Sequence, residues 1–129
     1  MRLLYICTGN SFRSPVAEAL TRKFHPEIEV ESAGTDAVGR VAENAERMLE
    51  EDEARKYVKP SPDQVSQRAV DEADKVVCMM PEHREFIEKN FDVEEERLEV
   101  WNIQDPINPG VSPQAAYRKI KDKIRNLNE

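Results

Sequence analysis

The sequence predicts an α/β fold: a small doubly wound sheet of four parallel strands in the order 2-1-3-4, with helices on both faces. Apolar segments of strand length alternate four times with segments of helical periodicity. Strands that alternate with helices in this way pair in parallel through right-handed crossovers. At 129 residues the chain is long enough for one core and too short for two. We therefore expect residues 1–129 to form a single domain.

Four apolar segments carry the strand signal. Residues 2–7 (RLLYIC) end at a Thr-Gly-Asn turn, and residues 28–33 alternate apolar and acidic side chains before a glycine. After the lysine at its start, the segment 75–80 (KVVCMM) is unbroken by polar side chains, which indicates a strand covered on both faces. The fourth strand is predicted from Leu98, Val100 and Trp101.

The helices are predicted from their caps and their apolar stripes. The first begins with a cap at Ser14 and a proline at its first helical position, and it ends before Pro26. The predicted stripes are Val16, Leu20 and Phe24 in this helix, Val41, Ala45, Met48 and Leu49 in the second, His83, Phe86 and Ile87 in a helix that begins at Pro81, and Ala116, Ile120, Ile124 and Leu127 in a last helix capped by Ser112. A short further helix is expected around residues 63–72.

Charge and cysteine content exclude several function classes. The chain has 26 acidic and 19 basic residues, and its net charge of −7 argues against unaided binding to nucleic acid or to an anionic membrane. The apolar segment at residues 3–7 is too short for a signal peptide or a membrane span, so we expect a cytoplasmic protein. We also expect the protein to be a monomer. Two cysteines, Cys7 and Cys78, and two histidines provide neither a disulfide framework nor the spacing of zinc ligands.

The segment CTGNSFRS, from Cys7 to Ser14, carries the strongest functional signal. It joins the first strand to the first helix, where backbone N–H groups and the helix dipole can surround a tetrahedral oxyanion. The planar guanidinium of Arg13 can bind two phosphoryl oxygens. Because the same electric field favours a thiolate, the segment predicts a Cys7 nucleophile beneath a bound phosphoryl group. Ser14 could donate its hydroxyl to the sulfur, and Asn10 could brace the loop with its amide.

A proton donor for the leaving group is predicted after the fourth strand. Asp105 and Pro106 lie in a loop that should end at the same edge of the sheet as Cys7. We therefore predict that Asp105 is the general acid.

These motifs resemble the low-molecular-weight protein-tyrosine phosphatase family and its relatives, the thioredoxin-coupled arsenate reductases. The resemblance covers nearly the whole chain: CTGNSFRSP at 7–15, SAGT at 32–35, KVVCMM at 75–80 and Asp-Pro at 105–106. It implies that Cys7 attacks the phosphoryl group of a phosphorylated protein or a small aryl phosphate, and that Asp105 protonates the leaving group and then activates water. The implied phosphoryl-binding residues are Arg13 with Thr8, Gly9, Asn10, Ser11, Phe12 and Ser14. The resemblance implies no metal and no organic cofactor.

Some residues depart from the family pattern in ways that bear on redox chemistry. The related reductases use two relay cysteines at and after the end of the third strand, whereas this chain has only Cys78, inside the strand, with Met80 at the expected position. We therefore expect Cys78 to be a packing residue. Phe12 replaces the second loop cysteine of many family members, so a disulfide that protects Cys7 should be absent.

Other departures bear on the substrate and on the support of the loop. Ile107 and Asn108 stand where aromatic residues usually follow the Asp-Pro pair, and Ser11 is similar to the small hydroxyl residue of the family's arginine phosphatases. Phosphotyrosine and phosphoarginine both remain open as substrates, as do arsenate reduction with an unusual thiol partner and a silent phosphate-binding module. A histidine that supports the loop in the family is missing, with Pro60 near its place, and we expect Ser32 to provide more of the support.

Overall fold

The computed structural model describes residues 1–127 and confirms the predicted architecture. Four parallel strands form one sheet in the order β2-β1-β3-β4. The strands are β1 (Arg2–Cys7), β2 (Glu29–Gly34), β3 (Lys75–Cys78) and β4 (Leu98–Val100). The α-helices are α1 (Arg13–Phe24), α2 (Glu43–Glu51), α3 (Gln67–Glu72), α4 (Pro81–Asn90) and α5 (Pro113–Arg125). No helix within residues 1–127 is long and apolar enough to cross a membrane.

The central strand β1 divides its side chains between two hydrophobic cores. Leu3 and Tyr5 pack with α1, α2 and α5 on one face of the sheet. Leu4 and Ile6 pack with α3 and α4 on the other face. All four side chains are at most 2% exposed. Burial on both faces explains why β1 reads as a continuous apolar run rather than as an alternating pattern.

The strand register brings three loops to one edge of the sheet. Cys7 lies beside Gly34 of β2, and Ile6 lies beside Cys78, which in turn lies beside Val100 of β4. Because these residues end or nearly end their parallel strands, the loops that follow β1, β2 and β4 leave from the same edge. This edge is where ligands bind in open α/β sheets.

The start of α1 corrects one prediction. The helix begins at Arg13 with Phe12 at the N-cap position, and Phe12 makes no side-chain cap hydrogen bond. The predicted Ser14 cap is wrong because the Ser14 hydroxyl is hydrogen-bonded to the loop before the helix. At the other end of α1, Phe24 is 38% exposed and lies outside the buried stripe.

Other predicted bounds move by a few residues. Strands β3 and β4 end at Cys78 and Val100, so Met80 and Trp101 lie beyond them. Strand β2 covers Glu29–Gly34 and not 28–33. Helices α2 and α3 begin after Val41 and after Asp63. Helix α5 ends before Leu127. The predicted start of α4 at Pro81 and the cap of α5 at Ser112 are both found.

The Ser112 cap provides a test of how α5 is held. Its hydroxyl oxygen accepts a hydrogen bond from the backbone N–H of Ala115 at 3.0 Å. We expect Ser112→Ala to lower the free energy of unfolding by about 1 kcal/mol, because that N–H loses its partner. Urea denaturation measures the change, and Ser61→Ala, at an exposed loop serine, is the matched control. Equal stability of the two variants would contradict the capping role.

Candidate active site

The loop between β1 and α1 is fixed by a second segment that runs beside it. Four carbonyl oxygens of the loop accept backbone hydrogen bonds of 2.9 to 3.0 Å from the segment 35–42. The donor and acceptor pairs are Thr35 and Cys7, Asp36 and Thr8, Val38 and Gly9, and Ala42 and Ser11. Because the carbonyl and the N–H of one peptide unit point in opposite directions, this arrangement turns the loop N–H groups to the inner side of the loop. Together with the free N–H groups at the start of α1, they can bind an anion.

Gly34 allows β2 to approach the loop closely. A Cβ atom at this position would lie 2.4 Å from the carbonyl oxygen of Thr8 and 3.0 Å from the backbone nitrogen of Asn10. No other residue type fits without moving the loop. The glycine of the SAGT motif is therefore required by contact with the loop backbone.

Asn10 holds the loop from inside. Its backbone is in the left-handed region, with φ of 54°, which asparagine tolerates better than most residues, and its side chain is fully buried. The amide nitrogen of Asn10 donates to the hydroxyls of Ser14 at 2.7 Å and of Ser32 at 3.0 Å. The Ser14 hydroxyl is in turn 2.9 Å from the sulfur of Cys7. One buried side chain thus links β2, the loop and α1 to the cysteine.

Arg13 and Asp105 meet, although they are 92 positions apart in the chain. The guanidinium of Arg13 is 4% exposed, donates to the carbonyl of Ile103 at 2.9 Å and lies 3.4 Å from a carboxylate oxygen of Asp105. The second carboxylate oxygen of Asp105 accepts a hydrogen bond from the N–H of Ile107 at 3.1 Å. The carboxyl group is therefore held at a fixed position beside the arginine.

These residues surround a cavity of about 420 Å³. Of the predicted site residues, those that line it are Cys7, Thr8, Gly9, Ser11, Phe12, Arg13 and Asp105. The side chains of Asn10 and Ser14 are fully buried and are not part of the cavity wall, so they support the loop from inside. The cavity lining also includes Asp36 and Val38, which the sequence motifs do not indicate.

His83 contacts the loop from α4 and was predicted only as an inward-facing residue. Its Nδ1 accepts a hydrogen bond from the backbone N–H of Met80 at 3.0 Å, so in the neutral ring Nε2 carries the hydrogen and donates to the Thr8 hydroxyl at 2.9 Å. Burial, and to a smaller extent the Arg13 guanidinium, lower the pKa of His83 to about 4, while Asp105 acts in the opposite direction. The ring is therefore a neutral donor to the loop near pH 7.

Lys59 contacts the loop from the opposite side, next to the position where Pro60 had indicated a missing support. The ammonium group of Lys59 donates to the amide oxygen of Asn10 at 2.7 Å and to the carbonyl of Ser32 at 2.8 Å. Ser32 also contributes, because its hydroxyl accepts from Asn10. Besides the support expected from Ser32, the loop therefore has a second one from Lys59, the residue before Pro60.

The model of the low molecular weight phosphotyrosine protein phosphatase family matches residues 2–129. The chain belongs to this family.

Relatives and solved structures agree with the assignment. PtpB of Staphylococcus aureus, a low molecular weight protein-tyrosine-phosphatase, is 33% identical over 93 residues. The match covers 70% of this chain and 65% of PtpB, so the chain matches less than two thirds of that relative's length. The tyrosine phosphatase AmsI of Erwinia amylovora shares the fold, with a TM-score of 0.85, 22% identity and coverage of 96% and 88% of the two chains. The YwlE arginine phosphatase of Geobacillus stearothermophilus has a TM-score of 0.74, 28% identity and coverage of 95% and 84%.

The two cysteines lie on opposite faces of the sheet. Cys7 belongs to the core that contains α1 and α5, and Cys78 to the core that contains α3 and α4, so the sheet separates them. Cys78 is fully buried, and this burial raises the pKa of its thiol to about 12.

Within residues 1–127, no group of three or more histidine, cysteine, aspartate or glutamate side chains could hold a metal ion.

His83 predicts a specific dependence of stability on pH. Its pKa is about 4 in the folded protein and about 6.5 in an unfolded chain. The unfolded state therefore binds the additional proton first as the pH falls from 6.5 to 4, and about 3 kcal/mol of stability is lost in that window. We expect His83→Gln to remove this part of the loss, as measured by urea unfolding at pH 7 and pH 4. His25→Gln is the control at the other histidine, and an unchanged pH dependence in His83→Gln would contradict the prediction.

Proposed function

We propose that this protein is a cysteine-dependent protein phosphatase that works through a phosphocysteine intermediate. The observation that carries the proposal is that Cys7, Arg13 and Asp105 line one cavity, with the arginine and aspartate 3.4 Å apart. Family membership supports the same chemistry. The expected substrate is a phosphorylated protein, and the net charge of −7 argues against nucleic acid as a partner.

The first chemical step transfers the phosphoryl group to sulfur. The thiolate of Cys7 attacks phosphorus while the bond between phosphorus and the leaving atom breaks. The guanidinium of Arg13 and the loop N–H groups stabilise the charge on the phosphoryl oxygens in the transition state. The carboxyl group of Asp105 gives its proton to the leaving atom, so that atom departs without a negative charge.

The second step returns the enzyme to its starting state. A water molecule attacks the phosphorus of the phosphocysteine, and the Asp105 carboxylate accepts a proton from that water. The bond between sulfur and phosphorus breaks, which releases inorganic phosphate and regenerates the thiolate of Cys7. The proton balance closes because Asp105 regains the proton it gave in the first step.

Turnover of aryl phosphates tests the assigned roles. We expect Cys7→Ser to abolish hydrolysis of p-nitrophenyl phosphate, and Asp105→Asn to lower kcat about 100-fold or more, within the range of general-acid effects. The loss in Asp105→Asn should be larger for phenyl phosphate, because its more basic leaving group depends more on the proton. Asp122→Asn, an exposed aspartate of α5, controls for the loss of one negative charge.

Two results would contradict this mechanism. Hydrolysis that survives in Cys7→Ser would show that Cys7 is not the nucleophile. Rapid mixing of wild type with substrate should show a burst of product and a trapped phosphocysteine, whereas binding without any burst would favour a silent phosphate-binding module.

The rim of the cavity supports phosphoarginine as a substrate besides phosphotyrosine. Two acidic and two aliphatic residues line it: Asp36 and Val38 in the segment after β2, and Asp105 and Ile107 in the loop after β4. Val38 and Ile107 are 52% and 85% exposed, so each presents an apolar side chain at the mouth. A phosphorylated arginine has an aliphatic chain and a cationic leaving group, which match aliphatic walls and carboxylates better than a neutral phenol does. The relative from Geobacillus stearothermophilus is an arginine phosphatase.

A substrate panel with Ser11→Ile separates the two substrate classes. Ser11 lines the cavity, and its small side chain donates to the carbonyl of Arg40 at 3.0 Å. We expect isoleucine to narrow the cavity and to lower kcat/KM for a phosphoarginine peptide about tenfold relative to a phosphotyrosine peptide of the same sequence. An unchanged ratio would contradict the role of Ser11, and activity on phosphotyrosine alone would remove phosphoarginine as a substrate.

Arsenate reduction is not supported by the position of the second cysteine. Cys78 is fully buried, and the β-sheet lies between it and the core that contains Cys7. A relay thiol has to reach the active-site sulfur, which Cys78 cannot do in this arrangement. Thiol-dependent arsenate reduction that is lost in Cys78→Ser would overturn this conclusion.

A further inference from the structure

Lys59 is a buried cation that the proposed reaction does not use. Its side chain is 7% exposed and lies behind the loop, outside the cavity lining. The ammonium group contacts three acceptors: the amide oxygen of Asn10 at 2.7 Å, the carbonyl of Ser32 at 2.8 Å and a carboxylate oxygen of Asp63 at 2.9 Å. Burial of an ammonium group is costly unless its hydrogens are bonded, and here three acceptors bond it.

Lys59 and the backbone N–H of Asp63 together determine which way the Asn10 amide faces. An ammonium group can only donate, so the atom of Asn10 that it contacts must be the amide oxygen. The backbone N–H of Asp63 donates to the same oxygen at 2.9 Å. The amide nitrogen of Asn10 is therefore the group that faces the hydroxyls of Ser14 and Ser32.

The direction of the remaining hydrogen bonds follows from the amide. The oxygens of both hydroxyls accept from Asn10, which leaves the hydrogen of each hydroxyl free for a second partner. The Ser32 hydroxyl gives its hydrogen to the carboxylate of Glu18 at 2.5 Å. The Ser14 hydroxyl is then free to donate to the sulfur of Cys7, and an ionised sulfur can only accept.

We propose that Lys59 is a positioning residue that acts through the Asn10 amide to direct the Ser14 hydroxyl hydrogen at the sulfur of Cys7. The proposal rests on the proposed function, because it concerns the same nucleophile. If Lys59 is removed, the Asn10 oxygen keeps only the Asp63 N–H as a donor, and the balance shifts toward a turned-over amide that presents its oxygen to Ser14. The Ser14 hydrogen would then bond to Asn10, and the thiolate would lose a donor.

Several other charged or titratable groups face the cysteine and its loop, and each stays in place in the test. They are Arg13 and Glu18 of α1, His83 of α4, Asp63 before β3, and Asp36 and Asp105 at the rim of the cavity. Replacing Lys59 with a neutral residue also removes one positive charge near the loop. The experiment must therefore distinguish a change in hydrogen bonding from a change in charge.

The rate of alkylation of Cys7 by iodoacetamide measures its thiolate directly, without any turnover of substrate. At pH 6 we expect Lys59→Met to slow alkylation about tenfold, the effect of losing a hydrogen bond to a charged group. At pH 9.5, which is above the ordinary pKa of a thiol, the difference should shrink to less than about threefold. Lys59→Arg, which keeps a cationic donor, should restore most of the rate. Lys56→Met, at an exposed lysine three residues away, is the matched control, and Cys7→Ser gives the background from Cys78.

A double-mutant cycle with Ser14→Ala decides between the two causes. If Lys59 acts through the Ser14 hydrogen, adding Lys59→Met to Ser14→Ala slows alkylation no further. A full additional slowing in that background would show that charge alone is responsible and would overturn the proposal, as would equal rates in Lys59→Met, Lys56→Met and wild type. Circular dichroism confirms folding of each variant, and Lys59→Gln carries the same test if Lys59→Met does not fold. Because alkylation needs no phosphatase activity, failure of the proposed function would leave this result interpretable.

Discussion

The active site depends on one buried side chain, the amide of Asn10. A loop that exposes its N–H groups to an anion cannot also satisfy its own hydrogen bonds in a regular helix or strand. Here its carbonyls bond to the segment 35–42, and its interior is filled by the Asn10 amide, which bonds to Ser14 and Ser32. The left-handed backbone at residue 10 places the amide there. The strained conformation persists because the surrounding structure holds it on every side.

The charged side chains around the loop lie in two places, in the cavity wall and behind the loop. Arg13 lies in the cavity wall, while Lys59 and Glu18 lie behind the loop, linked to it by Asn10 and Ser32. His83, by contrast, is kept neutral by burial and contributes a donor without a charge. Among the described residues, Arg13 is therefore the one cation that lines the cavity, although the protein as a whole is acidic. An overall negative charge does not prevent phosphate binding when the local donors are preorganised.

The register of the parallel sheet places the two cysteines in different environments. Adjacent positions on a strand point to opposite faces, and the register of β1 and β3 places Cys78 level with Ile6 and not with Cys7. One thiol therefore ends its strand at the loop, and the other fills the opposite core. A shift of one residue in β3 would have reversed the face of Cys78.

The sequence by itself determined the α/β class and the two motifs of the proposed chemistry, because apolar periodicity and the CTGNSFRS segment are local signals. It also indicated Cys7, Arg13 and Asp105 as one set. It predicted that the Ser14 hydroxyl could donate to the sulfur, but it also placed Ser14 at the helix cap, and it did not indicate that Lys59 and His83 contact the loop. These partners lie 49 and 75 positions away from the loop residues they bond, and no periodicity or spacing encodes such a contact. Tertiary structure decided them, since only the packing of the helices and connecting segments around the sheet brings distant donors to one buried amide and one hydroxyl.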